Sequence, residues 1–456
     1  MIVSRRSFIL GGAALAAMPA RAFAEETKDG FTLLTMRQAE ARLLGADRPA
    51  TKVQSLSGAW PPPVLRTKQG EEFKVRFINE LDRPIAMHWY GVRGPSGLMS
   101  INVAPGKDNA FDCVFTPPDA GTFWLSPVAD VSRERELGLY AMVVVEERDL
   151  KPKFAEVPLV FDDWQLTEDG QIDASTFGNL KEAIGPGRLG NWFTVNGAYR
   201  PKIDTSAGLV RLRVLNAANA RTMVIVFKGA DPLVIAEDGQ PVPPRELGSQ
   251  GLVLAPGQRS DLLVSEGKET MTLAVNLFED VVEAAYLSRQ GGSAPVDLPD
   301  NFTLPLNPIS TDLDIEKART VPLILEGGEK GGMTGAVYAG EKLDLRALLE
   351  KDMAWAINGT AGLASEPWQT FAQGESVILA VENRTKFDQP IHIHGHVWRI
   401  VLDQDQPQPW RDTAVVPAGA QVKLGFVADN PGQWGIQSTV AERVDSGLIT
   451  SFQVSA

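Results

Sequence analysis

A short repeated pattern sets the strongest limit on how this chain can fold. A glycine that leads into an alternating apolar stretch ending in asparagine occurs three times, at 70–79, 208–216 and 374–383. Each copy is followed later by a proline- and glycine-containing turn and another alternating strand, beginning at Ala104, Ala255 and Pro417. Alternation gives a strand one apolar face, as in antiparallel sandwich sheets. Three copies therefore predict three related all-β sandwich domains.

The spacing of the repeats gives the domain boundaries. The chain has 456 residues, which is enough for about three domains. We predict that the first domain covers 27–150, the second 151–290 and the third 340–456. The segment "GGSAPVDLPDNFTLPLNP" begins the intervening stretch 291–339, and its glycine and proline content predicts a linker.

The first 24 residues have the features of an export signal. Arg5 and Arg6 precede a short apolar run at 8–18, and "AFA" follows at 22–24. The apolar run is shorter than the ~20 residues of a membrane span, and the paired arginines resemble a Tat signal. We expect cleavage of 1–24, the Tat translocase as a partner during export, and a periplasmic protein without a transmembrane segment.

Charge and cysteine content exclude several functions. The formal net charge is −13, so nucleic acid is not an expected partner. Cys113 is the only cysteine, which excludes an intrachain disulfide. It lies in the alternating stretch "FDCVF", where a small buried apolar residue is favoured over a reactive thiol.

The histidines are concentrated in one strand. The chain has four, and three of them lie in "PIHIHGHVWRI" at 390–400. His392 and His394 are two positions apart, so their rings share one face of a strand. The fourth, His88, lies in "MHWYG" within the first predicted domain. Imidazole nitrogens at this spacing are typical of a metal site.

Motifs from all three predicted domains resemble the three-domain multicopper oxidases. They occur in the order of that family and include "MHWYGVRGPSG", "TFWLSPVADVSRERELGLYAMVVVEE", "RLRVLNAANAR", "VIAEDGQPV", "QPIHIHGH", "RDTAVVPAG" and "DNPGQWGIQSTVAERVDSGL". The resemblance covers nearly all of the chain after the signal. It implies three tandem cupredoxin-like Greek-key β-sandwich domains. It is specific for the fold, whereas activity depends on the individual ligands.

The resemblance also implies that the blue copper site is missing. In that family one copper is held by two histidines, a cysteine and usually a methionine. The corresponding positions of this chain hold other residues: Gln389, Ser438, Arg443 and Leu448. An amide, a hydroxyl, a guanidinium and an alkyl group cannot hold copper and pass electrons to it. Four-electron reduction of dioxygen is therefore not expected.

Most of the trinuclear cluster is implied to be missing as well. The family's remaining histidine positions that are changed here hold Tyr90, Ser126, Val128, Gln437 and Thr439. His88 and His392 match the two ligands of the single copper ion, and His394 is the only ligand left from the coupled pair. His396 matches a histidine that does not bind metal in the family, so we expect it to be structural.

Two functions remain open at this point. The first is a non-catalytic periplasmic binding or scaffold protein, similar to copper-depleted members of the superfamily that act in cell division, with a periplasmic protein as its partner. The alternative is a periplasmic copper-binding protein, or a residual copper oxidoreductase, with one ion held by His88, His392 and His394. The same histidines could instead be hydrogen-bonded interface residues. We assign no catalytic residue and no complete multicopper set.

Overall fold

The computed structural model describes most of the chain beyond the predicted signal. The described residues are 25–151, 154–206, 208–265, 270–277, 280–290, 302–310, 312–402 and 408–456. The predicted signal at 1–24 and the part of the predicted linker at 291–301 lie outside them.

The first repeat builds a sandwich of two sheets. Its strands are β1 (Glu25–Glu26), β2 (Thr32–Ala41), β3 (Thr51–Ser55), β4 (Val64–Lys68), β5 (Phe73–Asn79), β6 (Ile85–Tyr90), β7 (Ser100–Val103), β8 (Gly106–Phe115), β9 (Gly121–Pro127) and β10 (Ala141–Glu146). Two short helices accompany them, α1 (Ser96–Met99) and α2 (Val131–Glu136). One sheet has the order β1-β2-β5-β8 with β3 paired to β2, and the other has the order β4-β10-β9-β6-β7.

The second repeat builds a second pair of sheets. Its strands are β11 (Ala155–Trp164), β12 (Trp192–Val195), β13 (Lys202–Ser206), β14 (Leu209–Asn216), β15 (Met223–Lys228), β16 (Leu233–Glu237), β17 (Gln240–Glu246), β18 (Leu252–Leu254), β19 (Arg259–Ser265), β20 (Met271–Leu277) and β21 (Asp280–Gln290). A 3-10 turn at Ala174–Thr176 and helix α3 (Leu180–Ile184) interrupt them. The sheet orders are β12-β11-β14-β19-β16-β17 and β13-β21-β20-β15-β18.

The third repeat builds the last sandwich. Its strands are β22 (Arg319–Gly327), β23 (Gly335–Tyr338), β24 (Glu341–Asp344), β25 (Trp355–Ile357), β26 (Gln369–Ala372), β27 (Glu375–Asn383), β28 (Gln389–Ile393), β29 (Arg399–Ile400), β30 (Thr413–Val416), β31 (Gln421–Ala428), β32 (Gly432–Ser438) and β33 (Ile449–Ser455). Its helices are α4 (Leu345–Leu349) and α5 (Ala441–Asp445). The main sheets are β25-β22-β27-β31-β29 and β26-β33-β32-β28-β30, and β23 pairs with β24.

The three sandwiches share one topology, which confirms the predicted all-β, cupredoxin-like architecture. The repeated strand is central each time: β5 lies between β2 and β8, β14 between β11 and β19, and β27 between β22 and β31. The sheets are mixed rather than purely antiparallel, because each repeated strand pairs in parallel with the strand that enters its sandwich. A parallel pair requires a crossover between the sheets, which gives the Greek-key connection.

The boundary expected at residue 340 differs from the observed sheets. Strand β22 runs parallel to β27 and antiparallel to β25, so 319–327 belongs to the third sandwich. The prediction treated this stretch as linker because the repeat pattern begins only at the central strand. The entering strand has neither the leading glycine nor the terminal asparagine of the repeat, and its alternation is the main signal in the sequence.

Apolar contacts hold the first and third sandwiches against each other. One hydrophobic cluster contains buried side chains of both, among them Trp89, Met99, Trp355 and Trp434. The second sandwich has a cluster of its own. Within the described residues, no helix has the length and apolar character needed to cross a membrane.

Candidate metal centre

The structure brings three of the four histidines together between the first and third sandwiches. His88 lies in β6, His392 lies in β28, and His394 follows the end of β28. Their available ring nitrogens all lie within 4.8 Å of one another. The three residues are 1%, 0% and 5% exposed, in that order. The cluster is therefore buried at a domain junction.

Strand pairing explains why these rings face one another. His392 and His394 alternate with Ile391 and Ile393, which point into the apolar core. In the first sandwich, His88 lies opposite Ser100 of β7 on one side and Ser126 of β9 on the other. Its ring stacks on that of His394, with 3.8 Å between centroids and 26° between planes. The His392 ring centroid lies 5.3 Å from that of His394 and 6.4 Å from that of His88.

Neighbouring side chains engage the Nδ1 atoms of two of the rings. His88 Nδ1 lies 2.8 Å from Ser100 Oγ. His392 Nδ1 lies 3.1 Å from both Asp412 Oδ1 and Thr413 Oγ1. An ionised carboxylate only accepts hydrogen bonds, so Nδ1 of His392 is the donor in this contact and Nε2 is the nitrogen that faces the other two histidines.

Among the residues that the structure describes, none is a hydrogen-bond partner for the buried Nε2 atoms of these three histidines. Buried polar atoms are normally paired, and an unpaired one costs about 1–3 kcal/mol. Three such atoms in one cluster need a common explanation. Neutral imidazole nitrogens are good copper ligands, and second-shell hydrogen bonds to Nδ1 are usual at metal-binding histidines. The donor set fits a single copper ion.

Burial keeps the rings of His88 and His394 neutral. It lowers the pKa of His88 well below the ordinary value of 6.5, and the nearby His392 adds to the effect. Burial likewise lowers the pKa of His394 well below that value, with further contributions from His88 and His392. A charged imidazole would be desolvated and would repel its neighbours. Two of the rings thus offer lone pairs at neutral pH.

Tyr90 covers one side of the three histidines. Its ring centroid lies 4.9 Å from that of His88, 5.2 Å from that of His392 and 5.7 Å from that of His394. Its hydroxyl donates to the carbonyl of Pro127 at 3.0 Å and accepts from Gln437 Nε2 at 3.0 Å. Burial raises the pKa of Tyr90 to about 12, so the phenol remains protonated.

A buried ion pair connects His392 to the second sandwich. Nη1 of Arg259 donates to Asp412 Oδ1 at 2.9 Å, and Nη2 donates to Oδ2 of the same carboxylate. Burial alone would raise the pKa of Asp412, but the charge of Arg259 and the contact with His392 outweigh it and lower that pKa. Arg259 Nε also donates to the carbonyl of Thr122 at 3.1 Å. This one guanidinium contacts all three sandwiches.

His396 lies apart from the other three histidines. Its Nδ1 is 3.1 Å from the carbonyl of His394, and its Nε2 accepts from the Asn430 backbone N–H at 3.4 Å. Aromatic rings of Phe426, Trp434 and Phe452 surround it. Burial lowers the pKa of His396 to about 4. Both nitrogens are engaged, as expected of a structural residue.

The four positions implied for a blue copper site lie in a polar and aromatic arrangement. Nη1 of Arg443 donates to Gln389 Oε1 and to the carbonyl of Asp388, each at 2.8 Å. Its guanidinium lies over the rings of Trp355 and Phe387, about 5 Å from each centroid. Nearby, Ser438 Oγ accepts from the Val440 N–H at 3.1 Å, and Leu448 is fully buried.

A second buried arginine lies beside positions implied for the coupled coppers. Nε of Arg135 donates to Ser126 Oγ at 3.2 Å, and Nη1 donates to the carbonyl of Thr439 at 3.0 Å. The guanidinium lies 4.9 Å from the ring centroid of Trp124. The sequence analysis did not single out Arg135, Asp412 or Ser100. The only available signal was Asp412 in "RDTAVVPAG", a carboxylate close in sequence to the histidine strand.

Comparison with known families gives matches at both ends of the described chain. Residues 37–150 and residues 341–456 each match a family model described as multicopper oxidase. The matched segments contain His88 in the first case and both His392 and His394 in the second.

Two curated relatives and one solved structure give further comparisons. Multicopper oxidase MmcO of Mycobacterium tuberculosis is 25% identical, with 93% of this chain and 87% of the relative covered. Cell division protein FtsP of Dickeya dadantii is 27% identical, with 100% of this chain and 99% of the relative covered. The crystal structure of a multicopper oxidase from Pseudomonas thermotolerans is 28% identical with a TM-score of 0.79, covering 92% of this chain and 98% of that one.

Proposed function

This chain belongs to the multicopper oxidase superfamily, and from that premise we propose that it is an exported protein that binds one copper ion and lacks oxidase activity. The observation that carries the proposal is the set of three buried, unpartnered Nε2 atoms of His88, His392 and His394. Interface histidines left over from an ancestral site would satisfy their nitrogens within the protein, as His396 does.

The absence of oxidase activity is supported by the residues implied to replace the other ligands. Arg443 remains cationic at neutral pH even though burial lowers its pKa to about 10. The guanidinium of Arg443 repels a metal ion, and Ser438 provides a hydroxyl in place of the thiolate that would accept an electron from a substrate. Arg135 brings a second fixed cation to the region implied for the coupled pair. Oxygen reduction by the family's route needs both centres.

Copper titration tests this proposal. We expect one copper per chain by elemental analysis, no intense blue absorption band, and no turnover of phenols or diamines. Copper at ~100 times its dissociation constant should raise the free energy of unfolding by about 2.7 kcal/mol. His392→Ala should abolish uptake and stabilisation, whereas His396→Ala should retain uptake because His396 is outside the ligand cluster.

Three outcomes would contradict the proposal. Failure of the wild-type protein to take up copper would return the histidines to a purely structural role. An intense blue band would mean that Ser438 does not occupy the thiolate position. Equal copper uptake by the wild type and by His392→Ala would locate the ion elsewhere.

Export by the Tat route is the second part of the proposal. It is supported by Arg5 and Arg6 ahead of a short apolar run. Changing both arginines to lysine should leave the full-length precursor in the cytoplasm, as measured by fractionation and immunoblotting. Normal processing of this variant would exclude the Tat route.

A protein-binding role in the cell envelope is a second candidate function. It is supported by the similarity to cell division protein FtsP over the whole of this chain. A strain lacking a protein needed for division should form elongated cells, and the His392→Ala protein should restore normal division. Normal cell length in the deletion strain would argue against this role, and rescue that requires His392 would tie it to copper.

A further inference from the structure

We propose that the three-histidine pocket selects the cuprous ion over the cupric ion. The inference rests on the proposed copper-binding function and concerns which oxidation state the residues of this chain favour. Three properties of the pocket carry it: the charge of the ligands, their burial, and the number of positions available around the ion.

The ligand set carries no negative charge. Among the described residues, the cluster of potential ligands consists of three histidines, without a carboxylate or a cysteine. The nearest carboxylate contact, Asp412, lies on the Nδ1 side of His392 and is neutralised by Arg259. The Gln437 amide beside the histidines is neutral as well, with its Oε1 buried and unpaired. A bound ion would therefore keep its full charge.

Burial raises the free-energy cost of holding that charge. His88 and His392 are at most 1% exposed, and Tyr90 above them is 1% exposed. The cost of moving an ion from water into a low-dielectric interior rises with the square of its charge. A divalent ion thus meets roughly four times the desolvation penalty of a monovalent ion, without an anionic ligand to offset it. This favours Cu(I) over Cu(II), and it also disfavours Zn(II).

The number of ligand positions also favours Cu(I) over Cu(II). Cupric ions prefer tetragonal coordination by nitrogen and oxygen, and so need at least a fourth ligand. The ring of Tyr90 contacts all three imidazoles and covers one side of the site. Its hydroxyl is held by the carbonyl of Pro127 and by the Gln437 amide. Three neutral nitrogens beneath an aromatic ring suit a three-coordinate monovalent ion.

Competition titrations on the folded wild-type protein test the preference directly. Cu(I) is titrated without oxygen against bicinchoninate, and Cu(II) is titrated against nitrilotriacetate. We expect a dissociation constant for Cu(I) that is at least ~100-fold lower than that for Cu(II). Each tenfold difference raises the reduction potential of the bound couple by about 59 mV relative to the free couple. The loaded protein should also remain silent in electron paramagnetic resonance after exposure to air.

Two variants relate the preference to the pocket. Tyr90→Ala opens one side of the site to water and should reduce the Cu(I)-to-Cu(II) affinity ratio by at least about tenfold. Tyr140→Ala makes a comparable cavity in the same hydrophobic cluster without a ring contact to the histidines, and should leave the ratio unchanged. Equal ratios in the two variants would remove Tyr90 from the explanation.

The possible failures are distinguishable. If neither oxidation state binds, the proposed copper function fails and this inference fails with it. If Cu(II) binds as tightly as Cu(I) or more tightly, the copper function stands and only the preference is overturned. A strong cupric resonance signal from the air-exposed, one-copper protein would have the same meaning.

Discussion

At the scale of single residues, the asparagine that ends each repeated strand performs the same task three times. The Nδ2 of Asn79 donates to the carbonyls of Arg83 and Val103, and its Oδ1 accepts from the Leu81 N–H. Asn216 and Asn383 make the equivalent three contacts in the other sandwiches. Each side chain thus ties its strand to the following turn and to the opposite sheet.

Replacing one of these asparagines should cost much of the stability of its sandwich. Asn383→Ala removes the acceptor of the buried Thr385 N–H and the Nδ2 bonds to the carbonyls of Phe387 and Val416, so we expect a loss of about 3 kcal/mol in denaturant unfolding. Asn109→Ala provides the control, because the exposed Asn109 makes a single contact with the Pro105 carbonyl, and it should cost less than ~1 kcal/mol. Equal losses of unfolding free energy in the two variants would show that the buried hydrogen bonds of Asn383 contribute nothing to stability.

These residues show how far the sequence could be interpreted. The strand-ending asparagines and alternating faces predicted three related sandwiches, because both signals are local. His88 could be expected to face His392 and His394 only through the family resemblance. The ion pair between Arg259 and Asp412 was not predictable, since no pattern relates residues that far apart in sequence. Arg135 was missed because a buried guanidinium looks like a surface charge until its partners are known.

At the scale of elements, the short helix α2 depends on a residue from another sandwich. Asp445, at the end of α5, accepts from the N–H groups of Val131 and Ser132 at 2.8 Å and 2.7 Å. The helix's own N-cap, Asp130, makes no side-chain capping bond. The first turn of α2 is therefore capped only once the third sandwich is docked.

The same carboxylate should make stability depend on pH. Burial raises the pKa of Asp445 to about 6 from an ordinary value of 3.8, although the N–H bonds act against the shift. The folded state then binds the proton more tightly than the unfolded state, so this contribution is present at low pH and is lost as pH rises from about 4 to 6. Relative to Asp445→Asn, the wild type should lose about 1–2 kcal/mol of unfolding free energy between pH 5 and 7.5.

Denaturant unfolding of both proteins at the two pH values measures this difference. The Asn variant is the matched reference because it keeps the size of the side chain and removes the titration. If the difference in stability between the wild type and the variant does not change between pH 5 and 7.5, the two N–H bonds dominate over burial and the carboxyl is ionised throughout this range.

At the scale of the whole molecule, Arg259 is the residue through which the three sandwiches are joined by charge and hydrogen bonds. Arg259→Met leaves Asp412 buried without its partner, so we expect a loss of about 3–5 kcal/mol in unfolding free energy. Calorimetry should show one main transition for the wild type and separated transitions for this variant. The Asp412 carboxylate beside His392 would also lose the guanidinium that holds it in place, so copper should raise the transition temperature by less than in the wild type.

A surface arginine of the same sandwich provides the control for that experiment. Arg245 pairs with Glu237 at 2.7 Å, and its side chain is 52% exposed. Arg245→Met should change the unfolding free energy by less than ~1 kcal/mol and leave copper stabilisation intact. A single cooperative transition in Arg259→Met would mean that the other contacts between the sandwiches are enough to couple them.

Because the histidines are divided between the first and third sandwiches, they can come together only late in the synthesis of the chain. Roughly 300 residues separate His88 from His392, which is about 15 to 60 s of synthesis at ~5–20 residues per second. During that interval the first sandwich can fold, but His392 and His394 have not yet been synthesised. At the proposed site, copper could enter only after translation has finished and the last sandwich has docked. The proposal therefore implies that a ribosome-bound nascent chain does not accept copper and that the metal is supplied to the completed protein.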